Sequence, residues 1–366
     1  MFSRVRLSLL PSVRCMFDDP LQIRVTGLSS QQDVVLRASA TDEKGSNFSS
    51  WAEFRADHSG QVDVSRDAPL SGSYNGVQPM GLLWSLNPEV PHKHFFKNQA
   101  LSPHVVSFSV VNKQDGQILA QETNERCILG NGVQRQTVTE QGFTGVLFTP
   151  PGSGPFPAVL DLSTFPSETR AGLLANKGFV VMTVPIYIGK TGQTERLHLD
   201  QYEAAVQYLL QHSVGAVVAI NSCSANTGLP LLYKQQQILP ALQPDCPNTS
   251  PCLWPYMDDL NWDSVAYMEQ MVERMKRHGR NNFEVISYPG AGHLLDTPFS
   301  PFEASGFHGV LKMSLLWGGE PAAHARAEEQ LWKKIQEFFR KHLKCEHGPV
   351  DTLCHCIQQI KTTFSN

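Results

Sequence analysis

The hydrophobic periodicity of the sequence changes near residue 150 and divides the 366-residue chain into two kinds of structure. Before this point, apolar and polar residues alternate in short segments such as residues 21–25, 34–40 and 105–111. After it, residues 157–162 and 178–184 are largely apolar runs, with Asp161 and Thr183 as their polar members. A period of two is typical of half-buried strands, whereas continuous runs suit parallel strands that are covered on both faces. We therefore predict a β-sandwich followed by an α/β domain.

Helical periodicity is confined to the second half. Apolar residues recur at three- and four-residue spacing in residues 199–210, 265–275 and 331–339. Strands that alternate with helices predict right-handed βαβ crossovers, with a functional site at the carboxyl ends of the strands. Between the halves, residues 149–155 are rich in Pro and Gly, which interrupt regular structure. We divide the chain into residues 1–16, a leading segment; 17–149, the sandwich; 150–156, a linker; 157–343, the α/β domain; and 344–366, a divergent tail.

Charge and composition exclude several classes of function. The chain has 30 Lys and Arg against 34 Asp and Glu, a net charge of -4, so it has no basic field to hold a nucleic acid. Apolar residues make up 41% and charged residues 17%, as in an ordinary packed protein. The longest apolar stretches are too short to span a bilayer, so we expect no integral membrane segment. The eight Cys residues are scattered, which favours reduced thiols over a disulfide scaffold.

The two ends of the chain bear on targeting and on metal binding. Residues 1–17 contain three Arg, three Ser and no acidic residue, which resembles a mitochondrial presequence; an untargeted, frayed N-terminus is the alternative. Residues 364–366 are not the peroxisomal address Ser-Lys-Leu, so we expect a mitochondrial or cytosolic location. The Cys and His residues within 345–356 lack the spacing of a tetrahedral zinc site, so we expect no bound metal.

A candidate acid and base follow in the order used by α/β-hydrolases. Residues 283–288 are predicted to form a late strand, and the Gly-rich loop after it ends at His293, where an α/β-hydrolase places its general base. Asp259 precedes His293 by 34 positions, with one helix and the predicted strand between them. A carboxylate there would fix the imidazole tautomer and stabilise the imidazolium. Alternatively, Asp258 and Asp259 would cap the helix that starts near residue 265.

The nucleophile of such a triad is missing from its expected place. A hydrolase presents it in a Gly-x-Ser-x-Gly motif, or a Cys variant, on a tight turn between a strand and a helix. No such motif occurs in residues 151–259. The nearest substitutes are Ser222 and Cys223, which follow the apolar residues 216–220 but lack flanking glycines; their alternative role is that of ordinary loop residues.

Seven motifs, in a consistent order along the chain, resemble one protein family. They are residues 42–45, 72–85, 125–127, 132–135, 197–206, 288–293 and 317–325. Together they resemble the acyl-CoA thioesterase and bile acid-CoA:amino acid N-acyltransferase family over nearly all of residues 17–343. This resemblance implies an all-β Ig-like sandwich followed by an α/β-hydrolase domain.

The resemblance also implies a substrate class and a mechanism. Members of the family cleave or transfer the acyl group of fatty or bile acyl-CoA thioesters, and we expect no cofactor. His293 matches the catalytic His of the family, and Asp259 matches its acid. In the family, attack on the thioester carbonyl gives an acyl-enzyme, whose acyl group then passes to water or an amine. Backbone N–H groups stabilise the oxyanion of the tetrahedral intermediate.

The chain departs from the family where the nucleophile should lie. In the family, a strand, the nucleophile elbow and a second helix follow the helix that corresponds to residues 199–212. Here the next residues, 216–221, resemble the strand that comes after this block. A second difference precedes Asp259, where Pro251 and Pro255 interrupt the apolar strand that the family has. The α/β-hydrolase domain is therefore predicted to be truncated internally, as in a splice form, a gene-model gap or a degenerating copy.

Three functions follow from this pattern. The first is an acyl-CoA thioesterase-family protein that hydrolyses acyl-CoA very weakly or not at all, because removal of a triad nucleophile leaves only the contribution of binding and the oxyanion hole. The second is a non-catalytic relative that binds acyl-CoA or a protein partner. The third is a bile acid-CoA:amino acid N-acyltransferase. The sequence predicts no oligomeric state.

Overall fold

The structure, a computed structural model, describes most of the first half of the chain and several parts of the second. The described residues are 4–140, 142–163, 167–186, 197–209, 218, 231–239, 258–261, 263–308 and 313–343.

The described strands of the first half form two sheets. In chain order the elements are β1 Arg6–Leu10, β2 Arg14–Met16, β3 Gln22–Thr26, β4 Asp33–Thr41, β5 Asn47–Arg55, β6 Val62–Asp63, β7 Ser71–Gly72, α1 Gly81–Trp84, β8 Asn87–Pro88, β9 His104–Asn112 and β10 Ile118–Cys127. One sheet has the order β1-β3-β6; the other has the order β2-β10-β9-β4-β5-β7, with β8 also paired to β5. The strands predicted at residues 21–25, 34–40 and 105–111 are confirmed as β3, β4 and β9.

The two sheets enclose one hydrophobic core. Ile23 and Val25 of the smaller sheet belong to one buried cluster with Leu36 and Phe108 of the larger sheet. Buried and more exposed residues alternate along β4, as the period-two pattern requires. The core therefore forms from one face of each sheet, the arrangement that alternating strands favour.

From residue 134 onward the elements are β11 Gln134–Glu140, β12 Phe143–Thr149, β13 Ala158–Ser163, α2 Thr169–Asn176, β14 Val180–Pro185, β15 Leu197–His198, α3 Leu199–Leu209, β16 Leu231–Tyr233, β17 Gln236–Leu239, α4 Ser264–Arg277, β18 Ser305–His308, β19 Met313–Leu316 and α5 Pro321–His342. Four of the strands form a sheet of order β11-β12-β14-β13, and its first two strands come from residues that were expected in the sandwich. The apolar runs 157–162 and 178–184 are confirmed as β13 and β14, which pair in parallel and are joined through α2. Residues 150–156, expected to be a linker, connect β12 and β13 of this one sheet.

The three predicted amphipathic helices are confirmed as α3, α4 and α5. Trp332, Ile335 and Phe339 of α5 are 5–6% exposed and pack in one cluster with Leu173 of α2 and Val181 of β14. The α5 helix starts at Pro321 and is capped by the Glu320 carboxylate, which accepts from the N–H groups of the first turn. Because α5 directly follows the turn after β19, its packing fixes that turn against the sheet.

The predicted strand at residues 283–288 is wrong. This segment belongs to no strand of the described chain, and Val285 and Ile286 are 46% and 45% exposed. Apolar alternation yields a strand only where neighbouring backbone accepts and donates the ladder hydrogen bonds, and the described residues supply none here. The segment is largely apolar, but within the described part of the chain no neighbouring strand pairs with it.

The leading segment, predicted as a targeting sequence or a frayed end, contains two strands. All five residues of β1 pair with β3, and β2 pairs with β10. Leu7 and Leu9 are 8% and 4% exposed in the core between the sheets. Cleavage after residue 16 would thus remove both strands and leave one edge of β3 unpaired.

We expect the substitution Leu9→Ala to lower the free energy of unfolding by about 3 kcal/mol, because it opens a cavity in a packed core. Leu10→Ala is the matched control: Leu10 is the next residue of the same strand but is 36% exposed, and the expected loss is under about 1 kcal/mol. Urea unfolding measures both. Equal losses would contradict a structural role for β1.

Candidate active site

Asp259 and His293, the two residues assigned from the sequence as acid and base, lie in contact. His293 Nδ1 is 3.0 Å from Asp259 Oδ2, and the two side chains are 12% and 6% exposed. The other carboxylate oxygen, Oδ1, accepts from the backbone N–H of Asn261 at 2.9 Å. A hydrogen bond from Nδ1–H to the carboxylate places the proton of the neutral imidazole on Nδ1, so that Nε2 is the basic nitrogen.

One backbone carbonyl ties together the segments that carry the acid and the base. The Trp317 carbonyl accepts from the N–H of His293 at 2.8 Å and from the N–H of Leu260 at 3.4 Å. The indole ring of Trp317 stacks on the His293 imidazole, with ring centroids 5.5 Å apart and planes 21° apart. Gly318 forms a β-bridge with Asp259. The turn after β19 therefore holds the backbone beside Asp259 and His293 and packs against the plane of the His293 ring.

The capping alternative for the two aspartates is wrong. The α4 helix is capped by Asp263, whose carboxylate accepts from Ala266 N–H. Asp258 Oδ2 instead accepts from Gly290 N–H at 2.5 Å, at the start of the loop that carries His293. Both aspartates thus contact the His293 loop, one at its backbone and one at the imidazole.

A half-buried arginine, Arg170, links β13 to the same loop. Arg170 of α2 donates from Nε and Nη2 to Asp161 Oδ1 of β13, at 2.9 and 2.7 Å. Its Nη1 is 3.9 Å from Asp296, three residues after His293. The attraction of Asp161 raises the pKa of Arg170, so the guanidinium stays charged. This contact joins the sheet to the loop after the candidate base.

The first half of the chain also supports that loop. The Glu303 carboxylate accepts from Phe95 N–H at 2.6 Å and contacts His94 Nδ1. Trp84 carbonyl accepts from Phe302 N–H at 2.7 Å. The loop after His293 is thus attached to the first half at two adjacent points.

The remaining candidates lie outside the described residues. These are Ser222 and Cys223, the substitutes for the nucleophile, and the Cys and His residues of the tail, for which we expected no metal. Within the described part of the chain, no cluster of three or more His, Cys, Asp or Glu residues could hold a metal ion. No described helix combines the length and apolar character needed to cross a bilayer.

Sequence reasoning missed three residues around the pair: Trp317, His324 and Glu328. The first two belong to the family-like motif 317–325, but nothing in their spacing indicated a contact with His293. Glu328 is buried, and burial raises its pKa to about 7 despite the opposing effect of His324. The available signal was that Glu328 lies three positions before Leu331, on the apolar stripe of the predicted helix, where a carboxylate needs a polar partner.

Comparison with known proteins assigns the chain to a family. Residues 18–140 match the acyl-CoA thioester hydrolase/BAAT N-terminal region, and residues 247–345 match the BAAT/acyl-CoA thioester hydrolase C-terminal region. Human acyl-coenzyme A thioesterase 1 is 34% identical over 415 residues, covering 94% of this chain and 98% of the relative.

Two further relatives are similar to the chain over the same extent. Human mitochondrial acyl-coenzyme A thioesterase 2 is 34% identical over 94% of this chain and 86% of its own length. Mouse acyl-coenzyme A thioesterase 5 is 32% identical over 94% of this chain and 98% of its own length. With both regions matched in order and relatives covered almost end to end, this chain belongs to the acyl-CoA thioester hydrolase/BAAT family.

Proposed function

We propose that this chain is an acyl-CoA-binding member of the thioesterase family that keeps the acid–base half of the triad but hydrolyses acyl-CoA very weakly or not at all. The contact between His293 Nδ1 and Asp259 Oδ2 carries the proposal, because it orients a basic nitrogen for acyl transfer. Impairment follows from the missing elbow motif in residues 151–259.

The sheet order supports an α/β-hydrolase domain that follows an Ig-like sandwich. Strands β13 and β14 pair in parallel and are joined through α2, the βαβ unit from which an α/β sheet is built. In an α/β-hydrolase the nucleophile elbow is a tight turn from a strand of the sheet into a helix. Among the described strands, β13 stands at the edge of its sheet. An added strand that leads to an elbow could therefore pair with β13.

The length of the alignment with the human relative supports the same deletion. Since 94% of 366 residues is about 344, about 70 of the 415 aligned positions have no residue from this chain. That number of positions is large enough to include a strand, an elbow and a helix. It is therefore consistent with the internal truncation proposed from the sequence.

In an intact site the retained pair would act on the attacking group. His293 Nε2 would take the proton of a Ser or Cys as its oxygen or sulfur bonds to the thioester carbonyl carbon. The C–S bond of the thioester then breaks, and the proton passes from Nε2 to the departing CoA sulfur. Asp259 stabilises the imidazolium between these steps. Without the nucleophile, His293 still provides a base for water, at a far lower rate.

The experiment mixes the full-length protein with palmitoyl-CoA. We expect saturable binding by calorimetry, no stoichiometric acyl-enzyme by mass spectrometry, and thiol release close to the uncatalysed rate. His293→Ala is the control: it should leave binding nearly unchanged and remove the small part of the thiol release that the base contributes. A stoichiometric mass increase of one palmitoyl group, absent in His293→Ala, would contradict impairment. Failure to bind palmitoyl-CoA would contradict the proposed ligand.

Human acyl-coenzyme A thioesterase 2 is named as mitochondrial, whereas the names of the other two relatives give no location. We propose a mitochondrial or cytosolic location for this chain. Because Leu7 and Leu9 are buried in the core, an intact first segment is needed for folding in either place. An N-acyltransferase function would use the same two residues, Asp259 and His293. No other contact among the described residues favours it over hydrolysis.

A further inference from the structure

A second histidine, His324, contacts the backbone on both sides of His293. His324 lies in the first turn of α5 and is 3% exposed. Its Nδ1 accepts from the N–H of Gly292 at 3.0 Å, and its Nε2 is 3.1 Å from the carbonyl oxygen of Leu294. Gly292 and Leu294 are the immediate neighbours of the candidate base.

These two contacts require one protonation state of His324. A backbone N–H can only donate, so the Nδ1 that faces Gly292 must carry no proton. A carbonyl can only accept, so the Nε2 that faces Leu294 must carry one. We call these two contacts the His324 bridge. The bridge therefore exists only in the neutral imidazole with its proton on Nε2. A proton on Nδ1 would point at the N–H of Gly292, and neither group could accept.

A carboxylate and an aromatic ring enclose the bridge. Glu328, one turn further along α5 and 3% exposed, lies 3.4 Å from His324 Nε2 and accepts from Asp296 N–H at 3.3 Å. Its burial raises its pKa to about 7, against the effect of His324. Phe302 packs edge-on against the imidazole, with ring centroids 5.1 Å apart. The bridge is thus enclosed by α5 and by the loop that it holds.

The backbone at Gly292 is packed so closely that position 292 has no room for a side chain. A Cβ on Gly292 would lie 2.3 Å from the Gly318 carbonyl oxygen, so the residue is pressed against the turn after β19 on one side. On the other side its N–H points to His324. The backbone that carries His293 is held between these two contacts.

We propose that His324 is a positioning residue that holds the His293 imidazole against Asp259 through the backbone of Gly292 and Leu294. The inference rests on the proposed role of His293 as the base, but its test needs no turnover. His324 touches neither the acid nor the base side chain, so it acts only through the loop.

The first measurement uses the unmodified protein with ¹⁵N-labelled histidine. Nitrogen chemical shifts report the tautomer of each imidazole, and the His324 signals are assigned by through-bond correlation to the His324 backbone. We expect a neutral His324 with its proton on Nε2 at pH 7.5. A proton on Nδ1, or a charged ring, would overturn the proposal, and this result depends on no variant having the native fold.

The second measurement follows the Nδ1 proton of His293. In His324→Phe, which keeps the ring but loses both hydrogen bonds, we expect its exchange with water to quicken about tenfold or more. His324→Asn and His324→Gln each restore one of the two contacts and should give intermediate rates. His342→Asn, at the exposed end of the same helix, is the control. An unchanged rate in a folded His324→Phe would overturn the proposal, whether or not the chain hydrolyses acyl-CoA.

Discussion

Insertion of the corresponding block of human acyl-coenzyme A thioesterase 1 between His212 and Ala216 should raise kcat/KM for palmitoyl-CoA about 1000-fold or more. Loss of a triad nucleophile typically removes most of the rate enhancement and leaves a small residue from binding and the oxyanion hole. The proposed acid and base are already in contact, with Nδ1 of His293 3.0 Å from Asp259 Oδ2. The insertion would therefore supply the missing partner to an oriented base. Thiol release measures the gain.

Two controls separate restored catalysis from restored folding. The first carries the inserted block with its elbow nucleophile changed to Ala, and the second combines the intact insertion with His293→Ala. Both should show a raised melting temperature, because the added strand would pair with the edge strand β13 and bury its outer side. Neither should show the gain in kcat/KM. If the inserted chain folds with the expected gain in stability and remains inactive, the assignment of the retained pair is wrong.

Local patterns in the sequence were sufficient for most of the elements that hold the site. Strands β13 and β14 were predicted from largely apolar runs, and in β14 nearly every residue is buried, as in a strand covered on both faces. The α5 helix was predicted from its apolar stripe. The pairing of Asp259 with His293 was predicted from chain order and the Gly-rich loop. Their contact confirms that the two residues are paired, and their catalytic roles stay a prediction. Each of these depends on a signal within one short segment.

Features that depend on distant segments were not predicted. Residues 283–288 have the apolar composition of a strand, but a strand also needs a neighbour, and composition does not report whether the neighbour exists. The role of Trp317 depends on where its carbonyl meets two other loops. The role of His324 could not be predicted either. A His in a helix can equally be an ordinary core residue, and only its contact with Gly292 distinguishes the two.

The substitution Gly318→Ala should separate the acid from the base, with a loss of about 3 kcal/mol or more in the free energy of unfolding. Gly318 has a φ of +72°, and a Cβ there would lie 2.1 Å from the carbonyl oxygen of Asp258. That contact is with backbone, so no side-chain rotation can relieve it. The strain would fall on the bridge between Gly318 and Asp259, and hence on the carboxylate that holds His293.

Gly279→Ala is the matched control because it isolates the cost of backbone conformation from the cost of the clash. Gly279 has a φ of +69°, close to that of Gly318, but no atom lies within 4 Å of its added Cβ. A left-handed Ala should cost about 1 kcal/mol there and leave the His293 Nδ1 proton signal unchanged. In Gly318→Ala that signal should weaken or vanish as the Asp259 contact opens. Equal losses in urea unfolding for the two variants would mean that the turn after β19 adapts freely, and that it does not hold the acid and the base together.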